Sequence, residues 1–118
     1  MRDYKKYDVW TKAHKLCLSV YKEIIPSFPD EEKYALSQQL KRCTYSVPLN
    51  IVEGCGRASD KDFLRFLDIA LGSIHETEYC ALLAHDLTYI PEEKYYELLR
   101  KVNDVKAMLI NLIKAIRK

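Results

Sequence analysis

Apolar residues recur at helical spacing along nearly the whole chain. Towards its end Tyr95, Leu98, Val102, Val105, Leu109, Leu112 and Ile116 follow one another at alternating intervals of three and four, an unbroken heptad seam. Leu99, Met108, Ile110 and Ile113 lie outside that seam, so the apolar arc is wider than a two-stranded coiled coil needs and predicts a long helix packed against more than one neighbour. Pro91-Glu92-Glu93 suits the first turn of this helix, and Lys114, Arg117 and Lys118 suit its last.

The same period appears three more times. Val9, Trp10, Ala13, Leu16, Cys17, Val20, Tyr21 and Ile24 predict a first helix from about Asp8 to Ile25, stopped by Pro26 and Pro29. Leu40, Cys43, Val47 and Ile51 keep the three-four spacing across Pro48. Pro48 lacks the amide that would bond the Thr44 carbonyl, so the spacing predicts a kinked second helix rather than a broken one. Gly54 and Gly56 are expected to give the backbone freedom of its end, and Ser59-x-x-Asp62 reads as a capping box. Phe63, Phe66, Leu67, Ala70, Leu71, Ile74, Ala81, Ala84 and Leu87 mark a third helix reaching roughly Tyr89. Four helices with short connections and no alternating strand pattern predict an all-α chain, an antiparallel up-down four-helix bundle forming one domain over residues 1–118.

Composition narrows the function. The 118 residues are 48% apolar and 31% charged with three Gly and four Pro, the balance of a chain that buries one core. No apolar run approaches the roughly 20 residues that cross a bilayer, and no signal-peptide segment follows Met1, so a cytoplasmic protein without a membrane role is expected. Cys17, Cys43, Cys55 and Cys80 form no CxxC pair and read as small buried hydrophobes. The di-iron centres housed by some four-helix bundles need Glu-x-x-His, but Thr11, Gly72 and Leu82 precede His14, His75 and His85 by three. Ser46 and Ser73 have no base assigned to them. No metal, cofactor or enzymatic activity is expected.

Particular blocks of residues are recognisable. Asp8-Val9-Trp10, Gln39-Leu40-Lys41-Arg42, Ser46-Val47-Pro48-Leu49-Asn50-Ile51-Val52-Glu53-Gly54 and Phe66-Leu67-Asp68-Ile69-Ala70-Leu71-Gly72-Ser73 occur in that order. From roughly Tyr7 to Lys114 the chain resembles the bacterial S23, or 23S rRNA intervening-sequence, protein family. The resemblance implies a four-helix bundle assembled as a ring-like homopentamer, with many members encoded inside insertions in ribosomal RNA genes and no enzymatic activity established. A relative, the accessory variability determinant of diversity-generating retroelements, is a basic pentameric barrel that binds nucleic acid and a reverse transcriptase. The present chain departs from it in being only weakly basic, with 19 Lys and Arg against 17 Asp and Glu.

Charge is nevertheless segregated. Residues 1–22 carry six Lys and Arg against two Asp, whereas residues 66–91 carry four carboxylates and no Lys or Arg. Lys5, Lys12 and Lys15 fall within helical reach of one another, and with Lys6, Lys41, Arg42 and Arg57 they are the candidate contacts to RNA or single-stranded DNA, Tyr4 and Tyr7 being available for stacking. The same lysines also read as a solvated face, and the opposed charges as complementary surfaces between subunits. Arg42, Asn50, Glu53 and Arg57, with Glu76, read as a polar network that fixes helix register and satisfies carbonyls freed by Pro48. An anion site is conceivable where Gly54, Gly56, Arg57, Lys61 and the amides after Ser59 meet. Tyr34, Tyr45, Tyr79, Tyr89, Tyr95 and Tyr96 are candidates for a subunit interface or for the core rim. Two functional classes result: a nucleic-acid-associated accessory protein, and an oligomeric scaffold that binds protein alone.

Overall fold

The computed structural model describes residues 2–117, and among them the chain forms four long helices and no strand. Helix α1 spans Asp8–Ser19 and winds on through a π-helical turn, Val20–Ile24, and a 3-10 turn, Ile25–Ser27. The Ile25 amide bonds five residues back to the Val20 carbonyl, and Pro26, with no N–H to donate, ends the regular ladder. Helix α2 spans Leu36–Cys55 and runs through Pro48 without interruption. Helix α3 spans Asp60–Asp86 and α4 spans Glu92–Arg117. At 1.5 Å per residue α3 is about 40 Å long, which accounts for the 43 Å length of the molecule.

Each helix packs on two principal neighbours: α2 lies against α1 and α3, and α4 lies against α3 and α1. Partners across these seams run in opposite order. Along α2 and α3, Gln39 meets Glu76, Ser46 meets Ser73 and Gly54 meets Phe63. Along α3 and α4, Asp68 meets Arg117 and Glu78 meets Lys106. Along α1 and α4, Ser19 meets Lys101 and the Glu23 carbonyl meets Lys94. Val9, Ala13, Leu16 and Val20 are buried from α1, and Leu40, Val47 and Ile51 from α2. Phe63, Leu67, Ala70, Ile74 and Ala81 are buried from α3, and Leu98, Val102, Val105 and Leu109 from α4. These are the positions the periodicity marks.

One end of the seam differs from expectation. After Leu109 the buried residue is Ile113, while Leu112 and Ile116 are half-buried. A helix of 3.6 residues per turn drifts about 20° per heptad against a 3.5 repeat, and over several heptads the inward face moves on by one residue.

Helix ends are held by specific groups. Ser59 Oγ accepts the Asp62 amide at 3.1 Å, the expected cap of α3. At α2, Glu32 accepts the Leu36 amide at 3.2 Å through one carboxylate oxygen and the Tyr89 hydroxyl at 2.8 Å through the other. Helix α3 ends at Asp86, short of the expected Tyr89, because Thr88 adopts φ 65°. The Tyr89 amide bonds the Ala84 carbonyl and the Thr88 amide bonds that of His85, a Schellman closure in which a β-branched residue stands where glycine is usual.

The glycine expectation also needs correcting. Neither Gly54 nor Gly56 has positive φ. Gly54 is buried inside α2, and a Cβ there would lie 2.9 Å from Phe63 Cδ1 and 3.0 Å from Phe66 Cβ. Its role is close approach of α2 to α3. Gly72, in the middle of α3, has nothing within 4 Å of a Cβ position.

The same substitution at these two glycines should therefore act with opposite sign. Gly54→Ala should lower stability by about 1–3 kcal/mol through overpacking, and Gly72→Ala should raise it by about 0.5–1 kcal/mol through helix propensity. Urea unfolding followed by circular dichroism measures both. At the α3–α4 turn, Thr88→Gly should raise stability by about 1 kcal/mol by removing the left-handed strain, read as a higher melting temperature.

Candidate nucleic-acid interface and internal polar groups

The expected polar network divides into separate pieces. Asn50, half-buried on α2, donates to the Ser46 carbonyl at 2.8 Å and to Ser46 Oγ at 2.9 Å, and that hydroxyl lies 2.8 Å from Ser73 Oγ on α3. Glu76 is exposed and accepts from Gln39 Nε2 at 3.3 Å. Glu53 and Arg42 are exposed on α2. Arg57 stands beyond the helix, its guanidinium 4.7 Å from the centre of the Phe66 ring. Among the described residues no ion pair joins Glu53 to Arg57. Helix α2 stops at Cys55, so Arg57 is not carried one turn above Glu53.

Nor do these residues satisfy the carbonyl freed by Pro48. Cys17 does, donating its thiol to the Thr44 carbonyl from α1 at 3.3 Å. Burial pushes the Cys17 thiol up to about 12, with Cys43 adding to the shift, and keeps it in the donor form. The four cysteines are free and buried. The neighbouring Cys80 thiol above all, and the Thr77 hydroxyl, pull Cys43 down, while Cys43 and burial push Cys80 up. Among the described residues no three His, Cys, Asp or Glu side chains are placed to hold a metal ion.

The junction between α2 and α3, the conceivable anion site, is already filled from within. Arg2 pairs with Asp60 and lies 4.2 Å from the centre of the Phe63 ring, while its amide bonds the Cys55 carbonyl. Ser59 caps α3, and Asp60 and Asp62 put two carboxylates in its first turn. An incoming anion would meet like charge there.

Of the candidate cations, Lys5, Lys6, Lys12, Lys15, Arg42 and Arg57 are exposed and Lys41 is half-buried. They do not share one face. Lys5 extends over the Tyr4 ring, which packs edge-on against Trp10 at 4.7 Å. Lys41 lies 5.5 Å above the ring of Tyr21. Tyr7, a candidate for stacking, turns edge-on to buried Phe63 at 5.9 Å. Lys12 and Lys15 line a groove of about 230 Å³ with Arg100 and Lys101 of α4. Sequence patterning does not single out those last two residues. The seam places them on a flank of α4, but which helix that flank meets is decided by packing.

The acidic segment is partly neutralised within the chain. Glu78 pairs with Lys106 at 2.6 Å, Asp68 with Arg117 at 2.8 Å, and Asp86 lies 3.2 Å from His85 Nδ1. Among the tyrosines, Tyr95 is buried, Tyr89 is tied to Glu32, and Tyr34, Tyr45, Tyr79 and Tyr96 are exposed.

The fold defines an all-α protein of four helices, none of which, among the described residues, is long and apolar enough to cross a membrane. The family model of 23S rRNA-intervening sequence proteins matches residues 5–111, and the chain belongs to that family. It is also similar to a crystal structure of a protein of unknown function from the S23 ribosomal protein family of Bacteroides thetaiotaomicron VPI-5482. The identity is 29%, the TM-score is 0.82, and the match covers 90% of this chain and 98% of that one. No curated protein matches the chain.

The bond from Cys17 has a measurable consequence. Cys17→Ala should cost about 1–3 kcal/mol by orphaning the Thr44 carbonyl, whereas Cys17→Ser, which keeps a donor, should cost less. Because the folded pKa lies above the unfolded value of 9.0, the thiol's contribution is fully present below pH 9 and is lost as pH rises towards about 12. Urea titrations across that window should show a smaller alkaline loss for Cys17→Ser than for the wild type.

Proposed function

We propose that this protein is a non-enzymatic, oligomeric accessory factor that associates with nucleic acid in the cytoplasm through the exposed cations of its N-terminal segment and α1. The observation that carries this reading is the exposure of Lys5, Lys6, Lys12 and Lys15, with Lys12 and Lys15 facing further cations on α4. Phosphate neutralisation depends on such accessible Lys and Arg groups and needs no preformed pocket. Membership of the 23S rRNA-intervening sequence family points to RNA, or to a retroelement-like partner, as the class of target. A non-catalytic role is supported by the two serines: their hydroxyls bond each other and Asn50 rather than a titratable base.

The opposite order of partners along each seam supports an antiparallel up-down bundle, with α2 bent where Pro48 removes its ladder bond. A homopentamer is the assembly we favour. Support comes from exposed Tyr45, Leu49, Ile69, Tyr79, Leu82 and Tyr96, apolar or amphipathic groups on outer helix faces.

A second reading, a scaffold that binds only protein, rests on a mostly apolar groove of about 510 Å³ lined by Leu36, His75, Tyr79, Cys80 and Leu83, with Gln39 and Glu76 also in its lining. Replacing Lys5, Lys6, Lys12 and Lys15 together by Gln separates the two. Light scattering should give a species about five times the 13.9 kDa chain mass for both wild type and variant. Gel shift of single-stranded RNA at low salt should be seen for the wild type and lost in the variant. Equal binding by both, or none by the wild type, would leave the scaffold reading in place.

A further inference from the structure

Lys12, Lys15 and Leu16 of α1 face Arg100, Lys101 and Asp104 of α4 across an open groove. Two cations stand on each wall, and Asp104 is the one carboxylate among the lining residues. Lys101 is held in place, donating to Ser19 Oγ at 2.7 Å and pairing with Glu97 at 3.5 Å. Among the described residues Lys12, Lys15 and Arg100 make no ion pair. On the other flank of the same helix, Lys106 and Arg117 meet carboxylates of α3. The four cations outnumber Asp104, so the groove carries a net positive charge that an entering anion would offset.

Its shape and lining narrow the anion. At about 230 Å³ it is smaller than the roughly 300–1,000 Å³ that encloses a drug-sized ligand. Leu16 is its one apolar residue and every other lining residue is charged, which suits a charged occupant better than the apolar face of an amphipathic helix. Fixed positive charge on both walls of an open channel suits a chain of phosphates passing along it.

We propose that the α1–α4 groove is the track for the phosphate backbone of a single-stranded nucleic acid, with Arg100 and Lys101 completing a site that Lys12 and Lys15 begin. This rests on the nucleic-acid reading and adds to it a specific path and two residues 85 or more positions away in sequence.

The test measures fluorescence anisotropy of a labelled oligouridylate over a series of salt concentrations, with the full-length protein. Arg100→Gln combined with Lys101→Gln should weaken binding about tenfold at low salt. It should also flatten the logarithmic salt slope by about 1.4, at about 0.7 for each phosphate of the single strand that is no longer neutralised. Arg100→Lys, which keeps the charge, should bind as the wild type does, and circular dichroism should show all variants folded.

If the double Gln variant binds as tightly as the wild type while the four-lysine variant does not, the groove assignment is overturned and the broader reading stands. If the wild type itself fails to bind, both fall. Poly-glutamate binding with equal affinity and an equal salt slope would overturn the assignment to nucleic acid.

Discussion

A proline inside an α-helix costs about 3 kcal/mol or more, because it removes one ladder bond and crowds the carbonyl four residues earlier. Here it stands in α2, the helix that packs on both α1 and α3. Helix α2 continues past Pro48 because the surroundings absorb the loss: Pro48 is buried and the thiol of Cys17 reaches across to the carbonyl of Thr44. Asn50 must turn back to Ser46, and Gly54 must arrive opposite Phe63 where no Cβ would fit. Cys17 thus ties α1 to α2 beside the stretch that carries Asn50 and Gly54 towards α3.

Much of this fold is legible in the sequence, and the exceptions have identifiable causes. Apolar spacing locates all four helices, because a helix that buries one stripe must repeat it every three or four residues. Ser59 reads correctly as a cap, because that bond lies within four residues of chain. Thr88, by contrast, carries a left-handed conformation without the glycine that announces it, so the end of α3 is misplaced towards Tyr89. Gly54 and Gly56 look like helix-end residues, yet Gly54 serves packing. Ile113 replaces Leu112 in the core because helical drift accumulates along α4. Gly54 depends on where another element lies, Ile113 on accumulated drift, and Thr88 on a conformation its residue type does not announce.

The same division runs through the candidate site. Spacing puts Lys12 and Lys15 close together, since neighbours three apart share a flank, but Lys5, expected within reach of them, lies in the 3-10 turn Tyr4–Lys6 ahead of α1. It says nothing about Arg100 and Lys101, which join them only because α1 and α4 are packed side by side. Glu53 and Arg57 show the converse error: their interval of four implies a pair only if the helix continues, and α2 ends between them. Cys17 has no polar neighbour in sequence to suggest its role. A thiol on an apolar face is ordinarily read as a small hydrophobe, and only the carbonyl left open by Pro48 makes it a donor.

The small net charge of +2 is a poor guide to what this surface attracts. At physiological salt a charge is screened over about 8 Å, whereas the molecule is 19–24 Å across its short dimensions. The principal neighbours of α1 are α2 and α4, so the carboxylates of α3 are set away from the groove. Asp68 and Glu78 are moreover paired with α4 cations, which shortens the reach of their field further. A phosphate at the α1–α4 groove therefore responds to Lys12, Lys15, Arg100 and Lys101, less the one charge of Asp104, rather than to the total. In the pentamer we favour, each protomer would offer such a groove, and binding of several subunits to one strand multiplies through effective concentration. Weak binding by one groove and useful binding by the assembly are then compatible. Near-neutral overall charge would also limit non-specific adhesion to polyanions that cannot span more than one groove.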